Sequence, residues 1–217
     1  MEYMYNYLHN TDIYIHQRKD MFRINTDTTL LGEFMNIRTN ETVLDVGTNN
    51  GALLLYASRF APSHLVGIDV FQEACDLATQ NLSANQISSF AIFQSPVQAF
   101  VHDPFDVVVC NPPYFPCSEH VNENKFLRVA RHEVALTLEE LAEHSSRLLK
   151  EHGRFYLVHR SNRLVDLMKA LDACKMGVQD VCFVFDEQKE HATAILIEAI
   201  KGYDHKVQVR KPIVITR

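Results

Sequence analysis

Asn111-Pro112-Pro113-Tyr114 is a run of residue types suited to one task, the presentation of a planar amine for attack. An exocyclic amino group conjugated to a ring is a poor nucleophile, because its lone pair is delocalised into the ring. If an asparagine side-chain oxygen and a proline carbonyl accept its two N–H bonds, the nitrogen is held in line with an electrophile and its lone pair turns toward attack. Two consecutive prolines stiffen the run by fixing φ and removing competing donors, and Tyr114 offers a face on which a flipped base can stack. Asn111, Pro112, Pro113 and Tyr114 are therefore the candidate catalytic residues, with Tyr114 and Phe115 as candidate substrate contacts. The structural alternative is a strand ended by prolines with a packed tyrosine.

The electrophile needs a site of its own, and Leu44-Asp45-Val46-Gly47-Thr48-Asn49-Asn50-Gly51 supplies the pattern for one. An apolar strand passes through a small-residue turn into an apolar helix, whose first N–H groups face whatever lies in the turn. Gly47 lets the backbone run close to a ligand, and Gly51 relieves crowding where the helix meets the strand. The glycines stand four apart, so the G-x-G-x-x-G pattern of dinucleotide folds is absent. About twenty residues on, Asp69 closes Val66-Gly67-Ile68, where a strand-end acid can accept both hydrogen bonds of a ribose diol. Taken alone, an acid such as Asp69 is more often the N-cap of a helix, here one starting near Phe71. Asp45, Gly47, Thr48, Asn49, Gly51, Asp69 and Val70 are the candidate cofactor residues, joined by Asn111. The glycine spacing suits S-adenosylmethionine better than a pyrophosphate cofactor. Its sulfonium is already activated, so neither a metal nor a strong general base is required.

These residues have to be held at the ends of strands. Apolar, β-rich runs occur at 42–46, 65–69, 90–93, 105–110, 154–158, 180–185 and 193–199, alternating with helical patterns at 52–60, 71–84, 138–150 and 163–174. Thr137 and Glu140 form a capping box before the third helix. Seven strands alternating with helices predict an α/β fold with a mostly parallel sheet. Residues 186–191 leave no room for a helix between the last two strands, which makes them an antiparallel pair at one edge. One domain over residues 1–217 is expected, with 1–40 as an N-terminal extension and 41–217 as the core.

The chain of 217 residues is 47% hydrophobic, enough for one substantial core, and carries a net charge of −6. That charge argues against a protein that clamps long nucleic acid non-specifically, so any RNA contact must be local. Basic residues gather around Arg18, Lys19 and Arg23, at Lys125, Arg128 and Arg131, and in the tail at Lys201, Lys206, Arg210, Lys211 and Arg217. Phosphate contacts and solvated faces explain these clusters equally well. Five cysteines without a C-x-x-C pair suit reduced thiols in the cytosol rather than a disulfide framework or a zinc site. The N-terminus lacks a signal-peptide pattern and no long apolar run is present, so neither export nor membrane insertion is expected. Nothing in the sequence sets an oligomeric state.

With Asn111-Pro112-Pro113-Tyr114 in place, the chain resembles the tRNA1(Val) adenine-37 N6-methyltransferase family, a branch of the amino methyltransferases that share this tetrapeptide. The resemblance runs nearly the full length and implies the Rossmann-like class I methyltransferase fold, S-adenosylmethionine as cofactor and an adenine of tRNA as target. Residues 22–32 resemble a family segment near the cofactor's methionine end. That makes Asp27 and Thr28 cofactor candidates and Phe22 a candidate lid, although Thr26 to Thr28 also read as the N-cap of a helix over residues 30–35. Ala130-Arg131-His132-Glu133 resembles a segment past the substrate loop, which makes Arg131 and His132 candidate RNA contacts. Residues 197–202 and 210–215 are similar to the family's closing strand and basic tail. The chain departs from the family at Asn49, where a glycine is common, and at Gln94-Ser95, where an acid often meets the adenine amine. Ser95 is the candidate for that contact here.

Three rival activities share parts of the pattern. Glutamine N5-methyltransferases of release factors use the same tetrapeptide but carry an N-terminal helical domain, for which about forty residues are too few. Guanine N2-methyltransferases of rRNA tend to prefer Phe in the last motif position. A dehydrogenase would leave the tetrapeptide unexplained. From another class, a degenerate module that binds RNA without catalysis has no need of so complete a set of motif residues.

Overall fold

The computed structural model describes residues 3–112, 136–203 and 206–216. The chain opens with a hairpin of β1 (Tyr3–Tyr7) and β2 (Tyr14–Arg18), followed by α1 (Thr26–Phe34). The alternating part then runs β3 (Thr42–Val46), α2 (Ala52–Ser58), β4 (His64–Asp69), α3 (Gln72–Ala84), β5 (Phe90–Gln94) and β6 (Phe105–Cys110). After it come α4 (Leu138–Leu148), β7 (Leu149–Arg160), α5 (Leu164–Ala173), β8 (Met176–Asp186) and β9 (Ala194–Lys201). Two short tail strands, β10 (Gln208–Val209) and β11 (Ile213–Ile215), end the described chain.

The main sheet has the order β10-β8-β9-β7-β6-β3-β4-β5, with β11 also on β8. Strands β7, β6, β3, β4 and β5 are mutually parallel, and β9 lies antiparallel between β7 and β8. The sequence expectation of a mostly parallel α/β sheet with a reversed pair is met. The chain leaves β3 toward β4 and β5 on one side and returns to β6 and β7 on the other. That reversal opens a crevice at the carboxyl ends of β3 and β6.

Strand faces follow the alternation of their apolar residues. Leu44, Val46, Val108 and Cys110 join a cluster closed by Leu138 and Leu141 of α4 and Leu167 and Leu171 of α5. Val43, Val107 and Val109 join the opposite cluster, closed by Leu31 and Phe34 of α1 and Leu53 to Ala57 of α2. Both faces are thus covered by helices, and so the parallel strands read as continuous apolar runs rather than alternating ones. The α4 capping box forms as expected: Glu140 N donates to Thr137 Oγ1 at 3.1 Å and Thr137 N to Glu140 Oε2 at 2.8 Å.

The structure adds four strands to the expected seven. In β1 and β2 the residues are aromatic and polar apart from Met4 and Ile15, and only Ile15 and Gln17 of β2 are buried, too little for a recognisable apolar period. Before β3, Leu8, Ile15, Leu31, Phe34, Met35 and Ile37 share the cluster of α2 and the sheet. Asn81 of α3, fully buried, fastens the hairpin by accepting from His16 N at 2.8 Å and donating to His16 O at 3.0 Å. In the tail, Arg210 pairs with Asp180 at 2.5 Å and lies over the Phe34 ring at 4.6 Å. Lys201 Nζ donates to the carbonyls of Ser146 and Leu149. These two cations of the tail cluster are therefore engaged within the fold.

Candidate active site

The turn after β3 is shaped by residues in left-handed backbone conformation. Gly47 has φ +75°, Asn49 +48° and Gly51 +78°. Asparagine is among the few side chains that tolerate this region, so the departure from glycine at position 49 keeps the turn. The amides of Gly47 and Thr48 both donate to Ile68 O at 2.9 Å, which clamps the turn to the end of β4. Close approach is possible because β4 has Gly67, where a Cβ would sit 2.9 Å from the Thr48 hydroxyl. At Gly51 a Cβ would meet Ala78 of α3 at 3.3 Å, while at Gly47 it would meet nothing within 4 Å. Gly47 thus borders open space, and Gly51 is wedged against a helix.

Asp45 is 1% exposed, and burial pushes its pKa from 3.8 up to about 7, with the nearby Thr48 hydroxyl lowering it and the Asp69 charge raising it. Its Oδ1, together with Thr48 Oγ1 and Asn50 Nδ2, is buried without a hydrogen-bond partner. These atoms face the packed interior of the turn, whose open side is at Gly47.

Asp69 gathers the turn from the other side. Its Oδ2 accepts from Asn49 N at 2.9 Å and its Oδ1 from Phe71 N at 3.0 Å. Burial raises its pKa, opposed by the amides of Phe71, Asn49 and Val70. A carboxylate has about four acceptor positions, so capacity for a diol remains. The helix α3 takes Phe71 as its N-cap without a side-chain bond, so Asp69 binds the turn leading into it instead of capping it. Ser95 is tied to the Asp69 backbone: its N donates to the Asp69 carbonyl at 2.9 Å, while its hydroxyl donates to Pro96 O at 3.0 Å. Gln94 Nε2 donates to Val70 O at 3.1 Å.

Asn111 follows the last residue of β6, next to β3 in the sheet. Its Nδ2 donates to Thr28 Oγ1 at 2.9 Å, across 83 positions of sequence. Helix α1 therefore lays its first turn over the carboxyl ends of the strands. Asp27, in that turn, has its pKa raised by burial and lowered by the charge of Arg160 at the end of β7. The helix is capped by Asn25, not by Thr26 to Thr28 as the sequence suggested, because Asn25 Oδ1 accepts from Thr28 N at 2.9 Å.

Every described candidate thus lies at one end of the sheet, and the sequence matches the methyltransferase small domain family over residues 12–183. The chain belongs to that family, in its tRNA1(Val) (adenine(37)-N6)-methyltransferase branch. This methyltransferase-family chain is similar to the tRNA1(Val) (adenine(37)-N6)-methyltransferase of Pedobacter heparinus, with 30% identity over 83% of the chain and 85% of the relative. The protein of the same name from Pseudoalteromonas translucida is 33% identical over 63% of the chain, and the chain spans 59% of that relative's length. In fold it is similar to the Thermus thermophilus 16S rRNA N2 G1207 methyltransferase, solved with AdoMet and guanosine, at a TM-score of 0.67 and 19% identity. That match covers 92% of this chain and 50% of the other.

The methyltransferase turn recruits residues that the motifs did not show. Asn49 Nδ2 donates to Phe22 O at 2.8 Å, which ties the segment before α1 to the cofactor turn. Phe22 packs with Phe71 against Met21, Ala74 and Leu77. Asn81 Nδ2 also donates to Asn50 O at 2.8 Å, so the residue that holds the hairpin also braces the turn. Asn25 and Arg160 were likewise missed. Asn25-x-x-Thr28 is a legible capping spacing, but nothing local marks Arg160 or Asn81. Pro113, Tyr114, Phe115, Arg131 and His132 lie outside the described residues, as does Cys117. Cys75, Cys110, Cys174 and Cys182 are free thiols, and burial pushes the Cys110 pKa far up, so it is an inert packing group. Among the described residues, no group of three or more His, Cys, Asp or Glu is placed to hold a metal, and no helix is long and apolar enough to cross a membrane.

Proposed function

We propose that this chain methylates the exocyclic N6 of an adenine in tRNA, with S-adenosylmethionine as methyl donor. One observation carries this reading: Asn111, first residue of the amine-presenting tetrapeptide, stands at the carboxyl end of β6 beside the β3 turn, where Gly47 borders open space and Asp69 ends the next strand. The names of the relatives support adenine in tRNA as the substrate.

The site fits the cofactor. Asp69 would hold the ribose diol and Gly47 would let the donor lie against the backbone, with Asp45 and Thr48 packed beneath the turn that carries Gly47. Asp27, Val70 and Ser95 line the same end of the sheet. S-adenosylmethionine, when bound, supplies a methyl group already activated on a sulfonium. Asn111 Oδ1 and the Pro112 carbonyl accept the two N–H bonds of the adenine amine, which holds its nitrogen in line and localises its lone pair. On transfer the nitrogen would take the methyl as the donor's S–CH3 bond breaks to leave a neutral thioether, and it would shed one proton to water. Tyr114 and Phe115 would receive the flipped base, with Arg131 and His132 meeting the RNA near it. The packing of Leu8, Ile15, Leu31 and Phe34 with the sheet supports one domain, and a tRNA substrate supports a cytoplasmic location.

The test is incubation with tritiated methyl donor and undermodified tRNA, rRNA and release factor in parallel, followed by nucleoside analysis. Label recovered as N6-methyladenosine in tRNA is the expected result. Label on release factor alone transfers the chemistry to a glutamine amide and overturns the substrate.

A further inference from the structure

We infer that Thr28, itself held by Asn25, is a positioning residue that sets which end of the Asn111 amide faces the substrate amine. The two ends of an asparagine amide have nearly the same shape and opposite hydrogen-bonding roles, so only a neighbour can choose between them. Here the choice can be traced to a group that never changes role. The backbone N–H of Thr28 can only donate, and it donates to Asn25 at 2.9 Å, which places the Asn25 oxygen there. The Thr28 hydroxyl is 2.9 Å from that same oxygen, an acceptor, so its single proton goes to Asn25. Toward Asn111, Thr28 Oγ1 then has only lone pairs to offer, and the Asn111 group 2.9 Å away must be the Nδ2 donor.

The Asn111 amide is thereby locked with its NH2 toward α1 and its Oδ1 turned from it. Rotated by half a turn, it would leave the one Thr28 hydroxyl proton between two oxygens, so that either the Asn25 or the Asn111 contact would set oxygen against oxygen without a proton. It would also present N–H to an amine that has N–H to give. The wrong orientation is penalised at both ends, and the right one is built into the cap of α1. This inference rests on the amine-methylation reading of the site, and it assigns Thr28 to the amine side of the reaction where the resemblance assigned it to the cofactor.

Thr28→Val removes the hydroxyl at nearly constant volume and keeps the backbone N–H that caps the helix, whereas Thr28→Ser keeps the hydroxyl. Loss of one neutral hydrogen bond predicts a three- to tenfold fall in kcat, roughly, for Thr28→Val. KM for S-adenosylmethionine stays within about twofold, and Thr28→Ser recovers most of kcat. A loss that falls on the cofactor KM alone, or a serine variant as impaired as the valine one, overturns the inference. A second readout does not depend on turnover. In protein labelled with 15N-asparagine, with the Asn111 side-chain pair assigned by Asn111→Asp, Thr28→Val should shift that pair and speed its exchange with water. An unmoved pair overturns the inference whatever the activity. If the unaltered protein methylates no adenine while the pair does move, the substrate reading fails and the relay stands.

Discussion

Replacing Asp45 by asparagine tests whether the acid under the cofactor turn is as costly to ionise as its surroundings imply. Its carboxyl is 1% exposed, and burial lifts its pKa from 3.8 to about 7. A carboxyl with a folded pKa above its unfolded one favours the fold while protonated. That contribution is complete below the unfolded value and is lost as pH rises through the folded one. At 1.36 kcal/mol per pKa unit, the loss is about 2 kcal/mol at pH 5 and levels at about 4 kcal/mol above pH 7. Asparagine has the same shape and no proton to lose. The stability of Asp45→Asn relative to the unaltered protein should therefore improve by about 2 to 3 kcal/mol between pH 5 and pH 8. For a domain of this size, that is roughly 4 to 12 °C in Tm. Urea unfolding of both proteins at the two pH values measures it, and the difference between them cancels every other titrating group. A difference that is the same at pH 5 and pH 8 would mean that Asp45 does not ionise near 7, and the picture of a desolvated acid beneath the turn would fail.

Further expectations concern the two halves of the site and its packing. Asn111→Ala should lower kcat about a hundredfold or more while S-adenosylhomocysteine still binds, whereas Asp69→Ala should weaken that binding about tenfold or more; titration calorimetry on both refutes the division of labour if the order is reversed. Gly47→Ala places a methyl in the open space beside the turn, at φ +75°. Its cofactor affinity should fall while urea unfolding shows a loss of only about 1 kcal/mol, and unchanged affinity would remove the ligand from that side of the turn. Gly32→Ala should cost about 1 to 3 kcal/mol of stability, because its Cβ would lie under 3.0 Å from three carbons of the buried Tyr56 ring, and a variant as stable as the parent would show that α1 can shift off α2.

What could be read from the residues alone was whatever the chain carries in contiguous pieces. The parallel strands showed because both of their faces are buried, which leaves uninterrupted apolar runs such as Val107 to Cys110. The turn Gly47 to Gly51, Asp69 and the Asn111 tetrapeptide showed because each sits at a strand end, where a few adjacent residues carry the chemistry. The hairpin at β1 and β2 and the tail strands did not show, since their pairing depends on an existing helix or sheet edge and not on an apolar period of their own. Only the fold could lay α1 across the ends of β6 and β7, bringing Thr28 to Asn111 and Asp27 under the charge of Arg160. Only the fold could place Asn81 between the hairpin and the cofactor turn. A hydrogen bond is specified by position to within a few tenths of an ångström, and for residues 83 apart in sequence that position exists only once the sheet between them has formed.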